Sequence, residues 1–409
     1  MGLDAKTREK AFFLVLAATA LTALAAGLSE GVYGNFYYEV YGVTAFQRGF
    51  IEFPRELPGF LTVLAVSLFA FAGEIRLAIA AQALAVAGLL LLGVFTPSFG
   101  LMLVFLFINS MGMHLYMPLK DSIALGVIGP QGTGRKFGLL NGARTAAGFV
   151  AGLLVFAGFR SGFFSFQHSP VRNFVIAAGL FAAVALVLAR LRRLIGDPPI
   201  TTGKGRFLVR KEYRLYYALA SLHGAHKQIA GVFGPWVLIS LLGRGADVMA
   251  LLSMAGMFLG IFFIPLAGRL TDRLGYRRMM FAEGGLFIAI YAAFGLLSAG
   301  LSSGGAAAGR LPAAAVYALL VFDRMTMQLG MLRSLYLRDI ALDKSEVSPT
   351  LSMGMSIDHV ISIAGAFLGG VAWEAWGPEY VFYIAAALSF GNVAVARFLP
   401  TGRREEGGA

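Results

Sequence analysis

Apolar positions run in blocks of about twenty residues along the whole chain, and short polar turns separate them. A helical block of that length crosses the ~30 Å hydrocarbon core of a bilayer. The pattern predicts twelve spans, near 11–33, 46–72, 77–97, 101–127, 137–159, 172–189, 214–241, 247–268, 280–299, 312–332, 348–371 and 379–396. The longest polar interruption, residues 190–213, reads RLRRLIGDPPITTGKGRFLVRKEY. Its paired prolines and basic cluster predict a linker between an N-terminal six-helix bundle over 1–189 and a C-terminal one over 214–409. The expected fold class is an all-α membrane protein with twelve transmembrane helices in two six-helix halves.

Composition strengthens this reading. Of 409 residues, 58% are hydrophobic and 14% charged, with a mean hydropathy of +0.74. A soluble domain could not enclose so much apolar surface, because single cores stop growing at about 250–300 residues. The absence of cysteine excludes disulfides, thiolate metal sites and cysteine nucleophiles. The net charge of +12 would suggest nucleic acid in a soluble protein. Here topology accounts for it. With both termini in the cytoplasm, nearly all lysines and arginines outside the spans fall on the cytoplasmic side. Only Arg48, Arg160, Arg172, Arg244 and Arg310 are left on the other. Trp236, Trp373 and Trp376 then fall near outer span ends, where interfacial anchors are expected. The N-terminal run mimics a secretion signal, but its cleavage would leave an odd number of spans, so it is read as span 1. These features predict a monomeric, multi-pass protein of the cytoplasmic membrane of a bacterium or archaeon, with the bilayer and not nucleic acid as its partner.

Charges inside spans carry the functional information. Burying one mid-membrane costs at least ~2.5–3.5 kcal/mol, so such residues should face a wet cavity or each other. They are Glu30, Glu52, Arg55, Glu56, Lys120, Asp121, Arg144, Lys227, Asp323, Arg324 and Asp358. Spans 3, 6, 9 and 12 hold none beyond their edges. Two polar spans followed by one apolar span, repeated, is what nested three-helix repeats would produce.

At ~1.5 Å of rise per residue, Lys227, Asp323, Arg324, Asp358 and His359 converge near the midplane. His223 precedes Lys227 by one turn on the same face. Arg55 and Glu56 lie slightly further out, in the stretch GFIEFPRELPGF, where Pro54 and Pro58 break the helical hydrogen bonding and Glu52 shares a face with Glu56. These nine residues form the expected substrate and coupling layer. Arginine and lysine suit an anionic group, while the carboxylates and histidines suit a coupling proton. The plainer reading is a set of internal salt bridges. Lys120, Asp121 and Arg144 are expected to form an interhelical network near the inner side. Tyr33, Asn35, Tyr37 and Tyr38 are expected in an exposed aromatic belt beside Glu30. No metal-ligand spacing, nucleophile set or cofactor motif is legible, so no catalytic residue, metal or cofactor is expected beyond protons as coupling ion, and the chain is not read as an enzyme.

The loop after span 8, GRLTDRLGYRRMM, resembles the signature loop of the major facilitator superfamily, of the form G-x-L-x-D-R-x-G-R-[KR]. Gly268, Leu270, Asp272, Arg273, Gly275, Arg277 and Arg278 match it, and Tyr276 stands where the pattern often has arginine. The region around Asp121, Gly134 and Arg135 is more loosely similar to the family's fourth-loop pattern. The resemblance implies a gating role for Gly268, Asp272, Arg273, Gly275, Arg277 and Arg278, and it implies alternating access. The copy expected after span 2 is degenerate: aligned on glycine, Gly73 matches Gly275, but Ala70 stands where Asp272 would be. The expected function is secondary active, proton-coupled transport of a polar or charged small molecule. A proton-driven multidrug exporter and a lipid or lysophospholipid translocator are the alternatives.

Overall fold

The computed structural model describes residues 4–95, 98–129, 133–200, 209–303 and 310–399; residues 201–208 of the predicted linker lie outside the described residues. The described chain is built from helices: α1 (Ala5–Ser29), α2 (Tyr33–Tyr41), α3 (Ala45–Phe50), α4 (Glu52–Leu68), α5 (Glu74–Phe95), α6 (Phe99–Ile128), α7 (Thr133–Arg160), α8 (Arg172–Ile195), α9 (Arg214–Gln228), α10 (Gly234–Trp236), α11 (Ala246–Ser302), α12 (Arg310–Met327), α13 (Met331–Ile340), α14 (Lys344–Trp376) and α15 (Pro378–Arg397). Among the described residues, nine helical stretches are long and apolar enough to cross a membrane.

The remaining predicted spans fall where helices are interrupted or fused. Spans 8 and 9 both lie within α11, which breaks at Gly275. Span 2 is divided between α3 and α4. The Ile51 N–H still reaches the Gln47 carbonyl at 2.9 Å, but Pro54 has no N–H to continue the ladder. A new helix therefore starts at Glu52, with Pro54 in its first turn, where a proline is tolerated. In span 7, Gly234-Pro235-Trp236 sits between two wide five-residue turns, 229–233 and 237–241. Trp236 is consequently packed inward, 2% exposed, and is not the interfacial anchor its position suggested; Trp376 is 64% exposed.

The chain divides into two compact units. The first comprises Met1–Gly42, Pro54–Gly205 and Ala246–Met254. In it α5 packs along α6 and α8, and α1 along α7 and α8. Its core includes Ala11, Val15, Ala78, Ala81, Leu119 and Val184. Gly112 lies so close to the backbone of Ala81 and Ala85 that a Cβ there would overlap it, so this seam depends on a small residue. The second unit comprises Val43–Phe53, Arg206–Gly245 and Ala255–Ala409. There α14 packs on α9, α3 and α15, around a core that includes Tyr213, Leu219, Met280 and Leu332.

Each unit contains the same kind of glycine turn between helical segments. Gly73, before α5, has φ 85° and ψ 153°, and Gly275 has φ 77° and ψ 164°. Both lie in the left-handed region that a side chain disfavours. The glycine alignment made from sequence thus pairs two residues of nearly equal backbone conformation. The turns differ in chemistry. At Gly73 no side chain is available to cap the start of α5. Asp197, beyond the end of α8, supplies the missing oxygen. Its Oδ1 accepts the Ile75 N–H at 3.0 Å and the Arg76 N–H at 3.4 Å, and the Pro198 carbonyl accepts the Glu74 N–H at 3.0 Å. Asp197 Oδ2 meets Arg76 Nε at 3.1 Å and Arg192 Nε at 3.0 Å. A Cβ on residue 73 would lie 2.6 Å from the Asp197 carboxyl carbon, so glycine is also what lets the acid in.

Asp197→Ala removes a helix cap and leaves two arginines facing each other. We expect it to lower stability by ~0.5–2 kcal/mol, the range for losing a capping side chain. Thermal unfolding of the detergent-purified protein measures this. An unchanged midpoint would mean that Asp197 is not the cap of α5.

Candidate functional site

The second unit brings three of the expected midplane residues into direct contact. Gly224 on α9 lies against the backbone of Asp358 on α14, and the Ser362 hydroxyl donates to the Gly224 carbonyl at 3.0 Å. This close seam sets α9 side chains one turn apart beside one carboxylate. His223 Nδ1 lies 2.7 Å from Asp358 Oδ1, and Lys227 Nζ lies 3.5 Å from Asp358 Oδ2. All three are partly accessible, with 26%, 32% and 16% of the His223, Lys227 and Asp358 side chains exposed. His359 follows Asp358 on α14 and is half-buried.

Asp323 does not join this cluster. It is fully buried on α12, where Oδ1 accepts the Tyr291 hydroxyl of α11 at 3.0 Å and Oδ2 has no hydrogen-bond partner among the described residues. The Tyr291 ring stacks on His226 of α9, with centroids 5.5 Å apart, and His226 Nε2 lies 3.2 Å from Asn392 Oδ1 of α15. Its neighbour Arg324 is half-buried, and its Cδ is 3.9 Å from where Gly256 would carry a Cβ.

Arg333 was counted from sequence among the cytoplasmic loop charges. The structure instead buries it on α13, 3.5 Å from Glu283 of α11, with side chains 9% and 1% exposed. The helix of predicted span 10 is prolonged through α13, which carries Arg333 inward. Arg48 is a second correction. Expected in an outer loop, it lies in α3 and is 4% exposed. Its guanidinium meets Glu52 at 2.6 Å, four residues on. This cation neutralises Glu52 within the break. Beside it α3 runs against α14, where Gly370 approaches Phe46 and the Phe46 N–H donates to Glu374 at 2.9 Å.

In the first unit, Glu56 is buried, and the Arg55 guanidinium stands 5.8 Å from the centre of the Tyr33 ring. Ser110 of α6 donates to the Arg55 carbonyl at 2.5 Å and lies 3.1 Å from His114 Nδ1. Glu30 is within electrostatic reach of Arg55, Glu56 and Lys120. The expected aromatic belt is not one: Tyr33, Asn35 and Tyr37 are buried, and Tyr33 donates to Asn109 of α6 at 2.9 Å. Tyr38 is exposed at 39%. Phe36, Phe166 and Phe174 pack together beside them, with Phe174 also against the Tyr33 ring.

The expected inner network does not form. Asp121 and Arg144 are exposed, Lys120 is half-buried, and no ion pair joins them among the described residues. In the signature loop, Asp272, Arg273 and Arg278 are exposed, Gly268 is half-buried, and the Arg277 guanidinium lies 5.9 Å from the centre of the Phe281 ring. Tyr276, the departure from the pattern, is buried and donates to Asp339 of α13 at 2.6 Å. Glu283, Arg333, His226, Tyr291 and Asn392 were not anticipated as site residues. Glu283 is an acid inside an apolar run, which was a usable signal; the others needed contacts between helices.

No protein-family model matches the sequence, and no curated protein does. Solved structures do. The nucleoside transporter NupG is similar with a TM-score of 0.73 and 14% identity, over 95% of this chain and all of that one. An auto-inhibited peptide transporter of the POT family gives 0.74 and 14%, over 98% and 99% of the two chains. A D-xylose–proton symporter gives 0.67 and 11%, over 95% and 97%. At such identities the likeness is one of architecture. The chain has the fold of the major facilitator transporters.

Proposed function

We propose that this chain is a secondary active transporter that moves a polar or charged small molecule across the cytoplasmic membrane by alternating access, coupled to protons. The observation that carries the proposal is the Asp358 carboxylate shared between His223 and Lys227 on the α9–α14 seam. A charged, partly accessible triad in an apolar setting needs a function to offset its insertion cost. Transport supplies one. While Asp358 is ionised, it holds both Lys227 and the His223 ring. Its protonation would release them to bind a polar or anionic group of the substrate, so proton and substrate binding would be linked. The fold favours the same reading, since its neighbours include a nucleoside transporter and a sugar–proton symporter.

Twelve spans, cytoplasmic termini, a monomeric state and a gating role for the loop from Gly268 to Arg278 belong to this proposal. The inner turns at Gly73 and Gly275, and the basic residues around them, suit a cytoplasmic face.

Counterflow in proteoliposomes tests the carrier. We expect trans-stimulated exchange of one member of a labelled panel of nucleoside, dipeptide and pentose. Rapid flux without trans-stimulation would identify a channel. Exchange confined to a lipophilic cation or a lysophospholipid would favour the exporter or the lipid translocator.

Coupling is tested separately. Asp358→Asn is expected to abolish accumulation driven by a pH gradient while sparing exchange, because the amide cannot take up a proton. Asp323→Asn distinguishes the second buried acid by the same pair of assays. Loss of exchange together with accumulation, in folded variants, would leave these acids structural.

A further inference from the structure

The clasp at Asp197 has a second side. Asp197 Oδ2 lies 3.1 Å from Arg76 Nε and 3.0 Å from Arg192 Nε. The Arg76 and Arg192 side chains nevertheless remain 58% and 38% exposed. Arg76, Arg192 and Arg193, with Ala189, Gly196 and Asp197, line a cavity of about 510 Å³. Three guanidinium groups against one carboxylate leave this cavity with an excess of two positive charges. The Asp197 carboxylate draws two of the three together, with both Nε atoms 3.0–3.1 Å from its Oδ2. A planar fork with two donors matches the oxygens of a phosphate.

The position of the cavity narrows the source of that phosphate. It lies where the apolar runs of α5 and α8 end, with Arg76 opening one and Arg190 closing the other. That is the level of lipid headgroups. On α5, Ala80 and Leu84 follow Arg76 at one and two turns on the same face and are exposed. On α8, Leu186 is seven residues before Arg193, on its face, and is 67% exposed. The arginine cavity therefore continues into two exposed apolar stripes on helices that pack together. We propose that it binds the phosphate of an anionic phospholipid, with the acyl chains along α5 and α8. This site is separate from the Asp358 triad and does not depend on the transport reading.

Native mass spectrometry of the detergent-purified full-length protein, titrated with phosphatidylglycerol or phosphatidylcholine, tests the proposal. We expect one phosphatidylglycerol to be held in preference to phosphatidylcholine. Each basic side chain at a lipid surface contributes about 1 kcal/mol, or about fivefold. Arg193→Gln, outside the clasp, should weaken binding by about that factor, and the pair R76Q/R192Q by about the square of it. The pair R135Q/K136Q removes the same charge elsewhere and should leave binding unchanged. Equal retention of both lipids, or equal losses in the two double variants, would overturn the site. Displacement of the lipid by millimolar inorganic phosphate would overturn the lipid assignment in favour of a soluble anion. Should R76Q/R192Q fail to fold, the Arg193→Gln comparison decides alone: no weakening refutes the proposal.

Discussion

A charge carried into hydrocarbon must meet its counter-charge inside the protein. Much of the helix arrangement within each unit follows from how that demand is met. Arg48 and Glu52 satisfy it within one turn at the α3–α4 break, and Arg333 and Glu283 do so between α13 and α11. These pairs are nearly inaccessible and hold helices in register. The triad of Asp358, His223 and Lys227 differs by being partly open, with one carboxylate shared between two partners. Asp323 differs again. It is fully buried, with one oxygen bonded to Tyr291 and one without a hydrogen-bond partner among the described residues. Accessibility, more than charge, separates the groups that support the fold from those available for work.

Close approach of backbones is the second requirement, because a lipid solvent offers no hydrophobic drive between helices. Gly112 against Ala81 and Ala85, and Gly224 against Asp358, show how it is met. The second contact has a chemical effect as well. It brings α9 near enough for two of its side chains to reach one carboxylate, so a packing glycine determines the geometry of the candidate site.

The apolar blocks of about twenty residues made the helical membrane class legible, and the signature loop made the fold legible. The repeat was readable at one position with structural force, the glycine pair 73 and 275. The grouping of His223, Lys227 and Asp358 was also legible, because depth along a span is nearly arithmetic. Burial was not. Arg48, Arg333, Tyr33 and Trp236 were all assigned to surfaces by their distance from span ends, yet each is turned inward. Rotation about a helix axis is set by neighbours that a linear pattern does not identify. The broken spans misled for a related reason: wide turns around Pro235 and the restart at Glu52 reset the facing of everything that follows.

The borrowed cap at Asp197 bears on how the chain could be dissected. One glycine turn carries its acid in the loop itself, at Asp272, whereas the other takes it from a residue more than a hundred positions downstream. The end of α8 and the first residues after it therefore belong to the first bundle, although by sequence they read as tether. A gene split to express the halves as separate polypeptides should be cut beyond Ile200. A cut before Gly196 would hand the first bundle's keystone to the wrong fragment.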